Sequence, residues 1–129
     1  MAINEHILII EDCAPIAEIL ARHLASAGYR THIANDGATG LALVARTPPD
    51  CILLDLMMPG KSGAEVVQEL RGNPATAAIP VVLVSAQVGD GKVPVGSQLD
   101  VAGSVGKPFT RDQVVNAVRA ALQKRRQAG

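Results

Sequence analysis

Aromatic side chains are nearly missing from this sequence: its 129 residues hold one Tyr, one Phe and no Trp. That leaves no platform on which nucleic-acid bases could stack. Net charge is missing as well, because twelve basic side chains balance twelve acidic ones. No global field therefore draws in a polyanion, and the two absences together argue against direct nucleic-acid binding by this chain. No apolar run approaches the ~20 residues that span a bilayer, and nothing near Met1 resembles a signal peptide. Cys13 and Cys51 are the two cysteines, and they lack metal-like spacing. The expectation is a cytoplasmic protein with both thiols reduced, Cys13 serving as a small packing residue. Internal repeats, low-complexity segments and linkers are also missing, so residues 1–129 are expected to form one domain.

What is present is a hydrophobic share of 48%, supplied almost entirely by Ala, Val, Leu and Ile. A core of that kind suits a parallel sheet covered by helices. Four short runs read as strands: His6 to Ile10, Tyr29 to Ala34, Cys51 to Leu54 and Val81 to Val84. Three of them show no alternation and read as buried on both faces; the second is more polar and reads as a sheet edge. Gly103 to Gly106 is a short fifth. Helical spacing follows each strand. Pro15 opens a helix with Ile16, Ile19, Leu20 and Leu24 in phase, and Gly28 stops it. Asn35-Asp36-Gly37 leads into a helix over about Ala38 to Arg46.

Two capping boxes are legible. Ser62-Gly63-Ala64-Glu65 precedes the stripe Val66, Val67, Leu70, and Thr110-Arg111-Asp112-Gln113 precedes Val114, Val115, Val118, Ala121 and Leu122. Lys124, Arg125 and Arg126 then suit the carboxyl end of the last helix. Between Gln87 and Ala102, Gly89, Gly91, Pro94 and Gly96 argue against a full helix, although Val95, Leu99 and Ala102 allow a short one after Pro94. The fold expected is α/β, with a five-stranded parallel sheet, helices on both faces and an atypical fourth helix.

The chemistry lies at the strand ends. The first strand ends in Glu11-Asp12, the third in Asp55, the fourth in Ser85 and the fifth in Lys107. In a parallel sheet these ends share one edge, beyond which α/β proteins bind ligands. Each residue alone has an ordinary structural explanation; five at one edge do not. Three carboxylates in one crevice repel, and one holds a proton unless a cation intervenes. Mg²⁺ fits, since it prefers oxygen ligands and keeps waters that a phosphate can replace. A carboxylate can attack a phosphoryl group, whose equatorial charge an ammonium and a hydroxyl would stabilise. The set suffices for accepting a phosphoryl group on Asp55.

From Ile7 to about Leu122 the sequence resembles the receiver domain of two-component response regulators. The motifs are Ile-Leu-Ile-Ile-Glu11-Asp12, Leu-Leu-Asp55-Leu-Met-Met-Pro59-Gly60-Lys-Ser-Gly63, Val-Leu-Val-Ser85-Ala86 and Lys107-Pro108-Phe109. The resemblance implies a three-layer flavodoxin-like (βα)5 sandwich with strand order 2-1-3-4-5. It implies Asp55 as phosphoacceptor, Asp12 as a direct Mg²⁺ ligand, Glu11 holding the ion through water and Met57 offering its backbone carbonyl. It further implies that Ser85 and Lys107 bind phosphoryl oxygens and that the Lys107–Pro108 bond is cis. The phosphoryl donor would be a histidine kinase or a histidine phosphotransfer protein. The readout would be a downstream effector protein met by a monomer or a phosphorylation-dependent dimer, the chain catalysing only its own phosphorylation and dephosphorylation.

The chain also departs from that family. Ser104 stands where an aromatic usually sits three residues before the lysine, and Asp100-Val101-Ala102 replaces the usual approach to the last strand. Signalling would then run through a modified fourth segment, or the chain would be a phosphate relay, or the segment would fold on a partner. No output domain follows Ala121 within the 129 residues, so the chain by itself would act through another protein. Three other functions compete. An Asp-nucleophile phosphatase needs a second acid soon after Asp55, and Leu56, Met57 and Met58 supply none. A mononucleotide binder wants a glycine- or hydroxyl-rich loop where Glu11-Asp12 stands. A pseudo-receiver that binds partners without phosphate is argued against by the intact acids and Lys107, but Ser104 keeps it open.

Overall fold

The computed structural model describes residues 5–86 and 100–128. The short helix expected after Pro94 and the side chains of Arg125 and Arg126 lie outside the described residues. The strands are β1 (His6–Ile10), β2 (Arg30–Ala34), β3 (Cys51–Asp55), β4 (Val81–Ser85) and β5 (Gly103–Gly106). The helices are α1 (Ala14–Ser26), α2 (Gly37–Arg46), α3 (Gly63–Arg71) and α4 (Arg111–Ala128). All pairings are parallel, and the order is β2-β1-β3-β4-β5.

The period of two along each strand divides the core into two layers. Ile7, Ile9, Cys51, Leu53, Val82 and Val84 face α1 and α4, where they meet Leu20, Leu24, Val114 and Val118. Leu8, Ile10, Ile52, Leu54 and Leu83 face α2 and α3, where they meet Val44, Val66, Val67 and Leu70. β1, β3 and β4 are buried throughout, which is why their sequences carry no alternation, whereas the edge strand β2 is mostly exposed. Cutting one of these core leucines back to alanine costs about 2–5 kcal/mol.

Helix ends follow the local chemistry. Ser62 and Glu65 complete a reciprocal capping box at α3, with bonds of 3.2 and 3.1 Å. Thr110 and Gln113 do the same before α4, at 2.9 and 3.2 Å. Asp36 caps α2 by accepting the Thr39 N–H at 2.7 Å. All five residues of the α4 stripe are buried.

Two expectations need correction. Ile19 is in phase with the α1 stripe but 43% exposed; the buried positions are Ala17, Leu20 and Leu24. The stripe is narrower because only part of the α1 circumference touches the sheet and α4. Cys13 is exposed at the N-cap of α1 and does not pack, while Cys51 is the buried thiol. A residue that leaves the sheet at a strand end has no layer above it to pack against.

Candidate functional site

Parallel pairing carries every strand's carboxyl end to one edge, and that edge holds the acids. Glu11 follows β1, Asp55 ends β3, and suitable oxygens of Glu11, Asp12 and Asp55 all lie within 4.8 Å of one another. Glu11 and Asp55 are buried at 1% and 5% exposure, while Asp12 is open to solvent. Lys107 reaches across from the end of β5. Its Nζ lies 3.0 Å from Glu11 Oε1 and donates to Asp55 Oδ2 at 3.4 Å. The Lys107–Pro108 peptide is cis, as the resemblance implied. Ser85 ends β4 buried at the same edge, one residue beyond Val84, the register partner of Asp55. The Lys107 N–H donates to the Ser85 carbonyl at 3.2 Å, which ties the β5 exit to β4.

Both oxygens of Asp55 are engaged: Oδ2 by Lys107 and Oδ1 by the backbone N–H of Met57 at 3.1 Å. The carboxylate is thereby held in one orientation. Met57 is itself 59% exposed. Glu11 is held less completely. Its Oε2 accepts the Cys13 N–H at 3.2 Å, but Oε1 is buried and makes no hydrogen bond among the described residues, despite its ion-pair distance to Lys107.

The electrostatics follow from that crowding. Burial, reinforced by the adjacent Asp55 carboxyl, pushes Glu11 up to about 7, against the pull of Lys107 and the Cys13 N–H. Burial pulls Lys107 down, but Glu11 and Asp55 outweigh it and the ammonium is held above its ordinary range. Ionised, the three acids and one ammonium leave an excess of two negative charges. An all-oxygen donor set and a two-charge excess fit a small divalent cation such as Mg²⁺.

Sequence reasoning missed three features. The Met57 and Cys13 amides hold the two buried acids, and backbone donors leave no mark in residue identity. Gly63 is the third. A Cβ there would sit 2.6 Å from the Asp55 carbonyl oxygen and 2.7 Å from Leu56 Cα, so the start of α3 lies against the backbone that presents Asp55. The Gly63 N–H also donates to the Leu56 carbonyl at 3.0 Å. Its place directly after the Ser62 N-cap was the available signal.

A five-stranded parallel sheet of this order, with an acidic crevice and a lysine at its carboxyl edge, defines the receiver class of signalling domains. The response regulator receiver domain family matches residues 7–119, and the chain belongs to it. It is similar to the sensory transduction protein RegX3 of Mycolicibacterium smegmatis, 35% identical over 92% of this chain and 50% of that protein. It is also similar to the DNA-binding response regulator MtrA of Mycobacterium leprae, 34% identical over 94% of this chain and 52% of that protein. The chain thus spans about half the length of the curated relatives it matches. Among solved structures, a sensor protein from Polaromonas sp. JS666 superposes with a TM-score of 0.86 at 28% identity, covering 94% of this chain and 98% of that one. Among the described residues, no helix is long and apolar enough to cross a membrane.

Proposed function

We propose that this domain accepts a phosphoryl group on Asp55 from the phosphohistidine of a histidine kinase or histidine phosphotransfer protein, in a Mg²⁺-dependent reaction, and passes the signal on through protein contacts. The single observation that carries the reading is Asp55 itself: a buried carboxylate with one oxygen on the Met57 N–H and the other facing the Lys107 ammonium, beside two further acids. A nucleophile held on both oxygens loses little orientational freedom on the way to attack. As an Asp55 oxygen bonds to phosphorus, the phosphorus–nitrogen bond of the donor breaks and its electron pair stays on the imidazole.

Asp12, Asp55 and the Met57 carbonyl would ligate Mg²⁺ directly, with Glu11 acting through water. The ion supplies charge neutralisation for the incoming phosphoryl oxygens. Lys107 stands close enough to Asp55 to follow those oxygens, and the Ser85 hydroxyl, buried at the same edge, would donate to them. The exposed, apolar Met57 side chain cannot orient a hydrolytic water, so the phosphoaspartate is long-lived.

Residues 1–129 act as one receiver domain in the cytoplasm, as a monomer or a phosphorylation-dependent dimer. MtrA is a DNA-binding response regulator; the balanced charge and scarce aromatics of this chain make a protein, not DNA, its own direct partner.

The test is intact-mass spectrometry after incubation with acetyl phosphate, with and without Mg²⁺, on the wild type and Asp55→Asn. One phosphoryl adduct that requires both Mg²⁺ and Asp55 is expected. No adduct, where a known receiver is labelled, would replace this reading with that of a partner-binding pseudo-receiver.

A further inference from the structure

Away from the acidic edge, toward the amino ends of the strands, two histidines face each other across the β1–β2 seam. His6 opens β1, is 7% exposed, and donates its backbone N–H to Asp50 Oδ2 at 2.8 Å. His32 lies on β2 as the register partner of Leu8 and is exposed. His6 Nε2 and His32 Nδ1 share a hydrogen bond of 2.6 Å, with ring centroids 4.6 Å apart and planes at 88°. Beside them a cavity of about 80 Å³ is lined by Leu8 on β1 and by Leu43 and Thr47 on the α2 side. It has room for water. None of these groups touches the phosphorylation site.

A hydrogen bond between two imidazole nitrogens has one requirement: one carries the proton and the other offers its lone pair. Two neutral rings satisfy it. One added proton also satisfies it, because the proton sits on an outer nitrogen, His6 Nδ1 or His32 Nε2, and the facing bond becomes charge-assisted. A second added proton does not. Both facing nitrogens then carry N–H, two hydrogens cannot occupy a 2.6 Å gap, and two like charges confront each other beside an apolar cavity.

We propose that His6 and His32 form a pH-sensitive clasp, which pins the edge strand β2 to β1 while the pair holds at most one added proton and releases it when both rings are charged.

The surroundings set the sign. On β1 the neighbour is Leu8, and on α2 Leu43 and the following Thr47, none of which titrates. Arg30 at the start of β2 is in register with His6 and adds a like charge. Among the described residues, Asp50, before β3, is the acid acting on the His6 ring. Burial first, then His32 and Arg30, hold His6 below its ordinary value, and Asp50 offsets part of this. A base with a depressed folded value stabilises the fold above its unfolded value, near 6.5, and loses that contribution as pH falls through the lower folded value. The clasp is therefore shut at neutral pH and opens as pH falls through that lowered value.

β2 is where opening has consequences, since it is an edge strand with a neighbour on one side only. The test uses the whole unphosphorylated chain in metal-free buffer. Imidazole nitrogen NMR should find one of the two facing nitrogens protonated and the other not at about pH 7, with the coupling between the rings lost as the second proton binds. Hydrogen-exchange protection of the β2 amides, corrected for intrinsic rates, should fall about tenfold more than that of β3 and β4 over the same range, equivalent to about 1.4 kcal/mol. In His32→Gln, at the exposed partner, that extra fall should disappear. Should the two rings titrate independently with no proton between them, or should β2 lose no more protection than β3 and β4, the clasp is overturned. It is overturned equally if His32→Gln leaves the extra fall in place.

Discussion

Met57 donates its backbone N–H to Asp55 Oδ1 at 3.1 Å while the residue itself stands 59% exposed. One residue thus holds the Asp55 carboxylate with its backbone and turns to solvent a thioether that offers no strong donor or acceptor to water. Replacing Met57 by Asn keeps the amide and adds a polar group that can position water. A neutral hydrogen bond gained in the transition state, about 1 kcal/mol, corresponds to about fivefold faster loss of the phosphoryl group. Following the phosphorylated protein by intact mass over time measures it. A wild-type lifetime no longer than that of Met57→Asn would sink the idea.

Mg²⁺ should stabilise the fold, because it relieves the repulsion among Glu11, Asp12 and Asp55. At about 100 times its dissociation constant the ion adds about 2.7 kcal/mol. Asp55→Asn removes one of the buried like charges beside Glu11, so in metal-free buffer the variant should be at least as stable as the wild type and should gain much less from Mg²⁺. Urea denaturation of both proteins, with and without the ion, reads both effects. Equal gains in the two proteins would mean that Asp55 does not hold the metal.

Lys107 is the cation that faces both buried acids. Its replacement by Ala should slow phosphorylation by about 10²-fold, the scale of losing one preorganised charge donor at a developing oxyanion. The comparison is the rate of adduct formation with acetyl phosphate at fixed Mg²⁺. An unchanged rate would remove Lys107 from the reaction.

Gly63→Ala tests the packing behind Asp55. The new Cβ meets backbone at 2.6 and 2.7 Å, and backbone cannot swing aside as a side chain can. Overpacking of this kind costs about 1–3 kcal/mol. Because the displaced backbone belongs to Asp55 and Leu56, phosphorylation should slow as well. Gly28→Ala is the control for backbone strain: it lies at φ +97° with nothing within 4 Å of its Cβ, so it is strained but far from Asp55 and should lose stability alone.

The architecture was legible where burial is two-sided. Ile7 to Ile10, Cys51 to Leu54 and Val81 to Val84 stand out as unbroken apolar runs because both faces of a central parallel strand are covered. The capping boxes at Ser62 and Thr110 were equally legible, since a cap is satisfied by residues three apart. Ile19 and Cys13 were not. Their exposure depends on how much of α1 the sheet and α4 cover, and no local window carries that information.

By itself the sequence determined which side chains meet at one edge. Alternating strands and helices make the sheet parallel, and a parallel sheet sends Glu11, Asp55, Ser85 and Lys107 to the same end. Only the tertiary structure decided how they meet. That Lys107 lies between Glu11 and Asp55, that the Met57 and Cys13 amides hold the two buried acids, and that His6 faces His32 at the far end all depend on distances across the sheet. Those distances come from register, twist and the close packing of both layers, which arise among residues remote in the chain and are set only once the whole core has assembled.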